Sequence, residues 1–177
     1  MTELSPEEAR RQKLQNLVEM GVDPWGQRFD KRIPIDQVRA RIGEVNLKLE
    51  SGELVNLPDL ESDESIDFRA WMAEQGKGQM VGPTVRVAGR VMSNRDTGKL
   101  MFIDLRDQTG SIQLFLGKSQ VGADNWSVAQ NIDLGDLIGI DGELRRTKTG
   151  EITIFVQGLT YLTKALDPPP EKFHGLK

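Results

Sequence analysis

The 177-residue chain has no cysteine and a single histidine, His174, close to its C-terminal end. Without thiols, disulfide staples and thiolate zinc sites are excluded, and one imidazole does not build a metal centre by itself. Long apolar runs are missing as well: none approaches the roughly 20 residues of a membrane-spanning helix. The N-terminal segment is acidic and helix-like, unlike a secretion signal. These absences lead to the expectation of a cytoplasmic protein with no metal and no membrane contact. A strong charge of either sign is lacking too, the net charge being −4. That charge is unevenly spread, at −5 over residues 1–83, +1 over 84–166 and zero over 167–177. A segment at +1 does not hold duplex nucleic acid through a broad phosphate footprint; binding there must use few phosphates and the bases themselves.

What the chain does contain is a series of five strand-like runs: Thr84–Met92, Leu100–Asp107, Ser111–Gly117, Asp136–Thr147 and Glu151–Leu162. On the second run Met101, Ile103 and Leu105 alternate toward a core and leave Phe102 on the opposite face with Asp104 and Arg106. On the third, Ile112, Leu114 and Leu116 face inward, and Gln113 and Phe115 face out. An aromatic ring beside a hydrogen-bonding amide, with arginines near, is suited to stacking a base and reading its edge.

The N-terminal half reads as helical. Ser5, Pro6 and Glu8 form a capping-box signature for a helix running to about Met20 and ending at Gly21. Leu14, Leu17 and Val18 give this helix an apolar stripe, with Arg10, Arg11 and Lys13 on other faces, either solvated or touching an RNA backbone. Apolar residues at 38, 42, 45 and 49 predict a second helix over Asp36–Leu49. Residues 51–67, with Asp59, Glu61, Asp63, Glu64 and Asp67, read as an acidic surface loop. A short helix is expected over Asp67–Gln75, with Trp71 packed. Gly76-Lys77-Gly78 lacks the rest of a phosphate-binding loop and, with Gly82-Pro83, marks the boundary of the β region.

Five strands with a helical stretch at about Ser119–Asn131 between the third and fourth give the element order of an OB-fold barrel. The fold class is therefore mainly β: a five-stranded OB-fold barrel over 84–166, preceded by a helical appendage with an acidic loop over 1–83. In such barrels the cleft is formed by strands 2 and 3 and by the loops joining strands 1–2 and 4–5. Here those loops are Ser93–Lys99, with Arg95 and Lys99, and Thr147–Gly150, with Lys148. Lys99 and Lys148 are candidate RNA backbone contacts.

Val87-Ala88-Gly89-Arg90, the turn Thr147-Lys148-Thr149-Gly150-Glu151, and Leu162–Leu166 continuing through Pro170–Leu176 together resemble the N-terminal anticodon-binding domain of class II lysyl-tRNA synthetases. Asp107 with Thr109-Gly110, Ile112-Gln113 and Asp133-Leu134-Gly135-Asp136 agree in register. The resemblance covers 84–177 closely and 7–32 more loosely. It implies a module that recognises the uridine-rich anticodon loop of tRNA(Lys), with no catalytic residue of its own. The parent would be an ATP-dependent lysine-tRNA ligase and a homodimer. Its ATP and magnesium sites would lie in a catalytic domain beyond a hinge at 167–177, whose motifs are not in this sequence.

The resemblance also implies residue roles. Phe102 matches the aromatic that stacks on the central uridine, Gln113 the amide on its edge, Arg95 an arginine near that base, and Glu151 a carboxylate contacting an anticodon base. An amide supplies both a donor and an acceptor to uracil, whereas cytosine leaves polar groups unpaired, a loss of about 1–3 kcal/mol when buried. Stacking adds about 1–3 kcal/mol per base. Phe115 and Phe155 are assigned to packing. Region 33–82 is longer than the resemblance leads one to expect, and its acidic loop is expected to stay clear of RNA and to pack on another part of a synthetase. The competing readings are an aspartyl or asparaginyl anticodon domain, a single-strand binder without base preference, and a protein-binding adaptor.

Overall fold

A computed structural model describes residues 4–168. The Pro170–Leu176 motif, His174 and most of the expected hinge lie outside the described residues. Helix α1 (Pro6–Glu19) begins as its sequence dictates. The Glu8 amide donates to Ser5 Oγ at 3.2 Å and the Ser5 amide donates to the Glu8 carboxylate at 2.8 Å, so two otherwise orphaned donors are satisfied reciprocally. Its docking differs from the expected stripe. Leu17 is buried, but Val18 is 54% exposed. Two of the three basic residues take over: Arg10, only 7% exposed, donates to the carbonyls of Leu134 and Ala165 at 3.0 and 2.9 Å. Lys13 donates to Asp133 at 2.6 Å. A long cationic side chain can cover apolar surface with its stem while its head satisfies carbonyls at a loop, which a count of apolar residues does not capture.

The predicted second helix is corrected. Helix α2 (Ile35–Ala40) and a 3-10 turn, Arg41–Glu44, end before Val45, and the chain then forms strand β1 (Asn46–Leu49). The hairpin partner β2 (Leu54–Asn56) lies inside the expected acidic loop. Val45, Leu47 and Leu49 fit a period of two as well as of four. Leu47 is fully buried, and Gly43 weakens a continuous helix there. Helix α3 (Phe68–Gln75) is capped by Asp67, whose carboxylate accepts from the Ala70 amide at 3.0 Å. Strand β3 (Gly78–Val81) then returns along β1, giving a small antiparallel sheet of order β2-β1-β3.

The barrel consists of β4 (Thr84–Asp96), β5 (Leu100–Arg106), β6 (Ser111–Gly117), β7 (Leu137–Arg146) and β8 (Ile152–Thr163), closed in the order β4-β5-β6-β8-β7. Only β6 and β8 pair in parallel; β7 closes onto β4 antiparallel. Alternation builds the interior, with Val85, Val87, Met101, Ile103, Leu105, Ile112, Leu114, Leu116, Ile138, Ile140 and Ile154 all at 2% exposure or less. Helix α4 (Lys118–Ala129), interrupted at Gly122, lies between β6 and β7 in sequence and brings Val121, Trp126 and Ala129 to the core. Among the described residues no helix is long and apolar enough to cross a membrane.

The open end of the β7–β8 hairpin is held by a buried polar cluster. Lys164, 3% exposed, donates to Asp133 at 2.6 Å, to Asp136 at 2.8 Å and to the Asn131 carbonyl at 3.2 Å. The Tyr161 hydroxyl donates to the Asp136 carboxylate, which also accepts the amides of Asp133 and Ala165, both at 2.8 Å. Burial, together with the Asp136 charge, raises the Tyr161 phenol far above its ordinary range. Burial alone would raise the Asp133 carboxyl, but hydrogen bonds from Lys13 and Lys164 outweigh it and hold the group below the usual carboxylate range.

Candidate nucleic-acid interface

The outward residues of four adjacent strands, β4, β5, β6 and β8, meet in one row. Strand register places Arg95 opposite Phe102, Phe102 opposite Phe115, and Phe115 opposite Phe155. The ring centroids of Phe102 and Phe115 are 5.3 Å apart and those of Phe115 and Phe155 are 4.9 Å apart, in tilted arrangements favourable for aromatic pairs. Each end of the row carries a guanidinium, Arg95 at 4.9 Å from the Phe102 centroid and Arg145 at 5.1 Å from that of Phe155. Phe115 and Phe155, expected only to pack, are thus half-buried parts of the exposed face as well. The alternation that put Phe102 outside had put them outside too.

This row floors a cleft of about 870 Å³. The structure brings Arg95, Phe102, Gln113 and Glu151 together around it, with Lys148 on the rim. Lys99 is not among its lining residues. Arg95 is placed more firmly than a loop residue would be. Strand β4 runs on to Asp96, with a register shift between Val91 and Ser93, so Arg95 pairs across the hairpin and only 97–99 form the turn. Asp104 also lines the cleft and accepts from the Ser93 hydroxyl.

Gln113 is held from behind. The buried Thr153 hydroxyl lies 3.0 Å from Gln113 Oε1 and 3.1 Å from the Glu151 carbonyl, so its single proton is shared between the two acceptors, and the far side of the Gln113 amide stays open to a ligand. A residue with this role could have been suspected from sequence, since Thr153 breaks the apolar run Ile152–Val156 at a fully buried position.

The second wall of the cleft is the turn between β7 and β8. The Thr147 amide donates to the Glu151 carbonyl and the Gly150 amide to the Thr147 carbonyl, both at 2.9 Å. Gly150 has φ +94°, a conformation that favours glycine, and a Cβ there would come within 2.8 Å of Leu60. Arg146, 4% exposed, donates to the Gly150 carbonyl at 2.7 Å and to both Glu61 oxygens at 2.9 and 2.7 Å. Leu60 and Phe68 lie beside the turn, and Phe68 stacks on Trp71 with centroids 5.8 Å apart. The acidic segment, expected to pack on another part of a synthetase, packs here on the barrel beside the 147–150 turn, and none of its residues lines the cleft. Its Glu61 charge is neutralised by Arg146, so it packs directly behind a cleft wall.

Comparison with known proteins agrees with this geometry. Residues 85–162 match the family model described as an OB-fold nucleic acid binding domain. The chain is 37% identical to a lysine-tRNA ligase of Streptococcus pyogenes over 94% of its own length, and 35% identical to one of Staphylococcus saprophyticus over 96%. It covers only 28% and 29% of those proteins, so it spans less than a third of the curated relatives it matches. With the barrel closed in the OB order and the matched residues coinciding with it, residues 85–162 form an OB-fold nucleic acid binding domain, and the chain is homologous to part of the lysine-tRNA ligases.

Proposed function

We propose that this chain recognises the uridine-rich anticodon loop of tRNA(Lys). Phe102 stacks on the central base, Gln113 pairs with its edge, and Arg95 and Glu151 contact the base or its neighbour. The observation that carries this reading is the convergence of these four side chains on one cleft, with an aromatic floor and an amide anchored at the buried Thr153 hydroxyl. Carboxylates at Asp104 and Glu151 disfavour phosphate against the floor and accept base N–H donors, which suits recognition through bases. Lys148, and Lys99 farther off, are assigned to the backbone.

The division of labour follows. Residues 1–83 brace the barrel, 84–166 bind, and 167–177 lead toward further domains. As part of a cytoplasmic, homodimeric lysine-tRNA ligase, the module delivers the acceptor end to an active site elsewhere. Among the described residues no three carboxylate, histidine or cysteine side chains converge to hold a metal. ATP and magnesium are assigned, from the resemblance alone, to the part of the relatives that this chain does not span.

The test is the affinity for a stem-loop RNA with a UUU anticodon, measured beside one with cytidine at the central position. A loss of about tenfold or more, or about 1.4 kcal/mol, is expected and should vanish in Gln113→Ala. Equal affinity for both RNAs would replace this reading with binding that has no base preference.

A further inference from the structure

The aromatic row is longer than one base requires, and it does not end at the cleft. Beyond Phe115 and Phe155, which line both sides, lies a second cavity of about 340 Å³ lined also by Gln120, Arg145 and Gln157. Gln120 reaches it from α4 by folding over Gly117, where any Cβ would collide with its amide. Gln157 stands exposed on β8.

Arg145 is built into this place. Its guanidinium lies over the Phe155 ring at 5.1 Å, and its Nη2 donates to Glu143 at 2.8 Å. The other Glu143 oxygen accepts the Gly82 amide at 2.8 Å, so the carboxylate is fixed from two sides. Burial tends to raise the Glu143 carboxyl, but these hydrogen bonds hold it below the usual range. The ion pair offsets the cationic charge while leaving 22% of the Arg145 side-chain surface open. Such a group is a poor phosphate trap and a good planar platform, because guanidinium faces and phenyl rings both stack on bases. Arg95 at the other end has no ion pair among the described residues and keeps its full charge at the central-base site.

We infer that this cavity is a second nucleobase subsite, in which another base of the same single strand stacks on the Phe155–Arg145 pair while the amides of Gln120 and Gln157 meet its edge. The inference rests on the reading of the neighbouring cleft as the anticodon site. Two flexible amides, each offering donor and acceptor, accept any of the four bases with little preference. The subsite therefore adds affinity and fixes the direction of the strand, without adding strict selectivity.

The experiment is an abasic scan of the stem-loop RNA against the full chain, Phe102→Ala, Arg145→Ala and Arg145→Lys, with thermal melting to confirm folding. In the unaltered chain, one abasic position other than the central one should weaken binding about tenfold. In Arg145→Ala and Arg145→Lys that position should become nearly silent, since lysine keeps the charge and loses the plane, while the central position keeps its full effect. If Arg145→Lys behaves as the unaltered chain, or no position couples to Arg145 while the central one still couples to Phe102, the subsite is refuted and the anticodon reading stands. If no position couples to Phe102 either, the anticodon reading fails and the subsite with it.

Discussion

The β7–β8 hairpin has two ends built on opposite rules. At its open end, Lys164, Asp136 and Tyr161 are buried, Asp133 is partly buried, and every charge is paired. At its turn end, Phe102, Phe115 and Phe155 are partly open to solvent, and Arg95, Lys148 and Glu151 are exposed at the cleft. The first arrangement gives up hydration to lock the chain: α1, the segment before β7 and the exit from β8 all meet at one carboxylate cluster. The second leaves apolar and charged surface unsatisfied, which is useful only if a ligand covers it. One end of the same pair of strands holds the molecule together, and the other is kept ready to bind.

The largest effect is expected at the locked end. Lys164→Met should lower stability by about 3–5 kcal/mol, because the fully buried Asp136 carboxylate stays behind without a cation while Asp133 keeps only Lys13. Urea unfolding measures this, and a change under about 1 kcal/mol would show that the cluster does not hold the hairpin. The protein that remains folded should keep its preference for uridine over cytidine. Proton linkage gives the same end a signature: the Asp133 carboxyl is held low in the folded protein, so its contribution is complete above the unfolded value of about 4. That contribution is lost as pH falls further through the folded value. Tyr161 acts in the opposite sense. Its raised phenol stabilises the fold below the unfolded value of about 10, and the contribution fades at higher pH as the unfolded chain ionises.

At the binding end Phe102→Ala should reverse the pattern, weakening the stem-loop by about 1–3 kcal/mol and leaving the urea midpoint nearly in place. A matched loss of stability would mean that the ring serves the barrel rather than a ligand.

The two ends were not equally legible in the amino-acid order. Alternation in Leu100–Arg106 and Ser111–Gly117 sorts core from surface with no tertiary information, so the barrel and the outward Phe102 and Gln113 could be read directly. Segment 36–49 defeats that method because its apolar residues satisfy two periods at once, and pairing with β2 and β3 decides between them. Arg10 and Lys164 look like ordinary surface cations, since their partners stand 124 and 28 residues away in the chain. The role of Arg146 is hidden for the same reason, its Glu61 partner lying 85 residues upstream.

The turn end also has one locked element behind it, the Arg146–Glu61 pair. Glu61→Gln removes the charge that holds Arg146. Because Glu61 is half exposed, the stability change should be about 1 kcal/mol or less. The consequence for binding should be local: discrimination at the base contacted by Glu151 relaxes, while the uridine-to-cytidine ratio at the central position, set by Gln113 on a different strand, is unchanged. Deleting 51–66 should do the same more strongly, since Leu60 leaves with Glu61. Full discrimination at both positions after the deletion would mean that the 147–150 turn holds its shape alone, and the small sheet would then have no part in recognition.

The smallest expected effect is that of pH on binding between about 6 and 8. The cleft is lined by arginine, lysine, carboxylate, amide and aromatic side chains, whereas histidine is the side chain that ordinarily titrates in this window. Stem-loop affinity at constant salt should therefore stay level while the locked end sets stability only at the acid and alkaline extremes. A titration centred in that window, and lost in His174→Ala, would bring the C-terminal segment into the binding site and end the clean separation between the two ends of the hairpin.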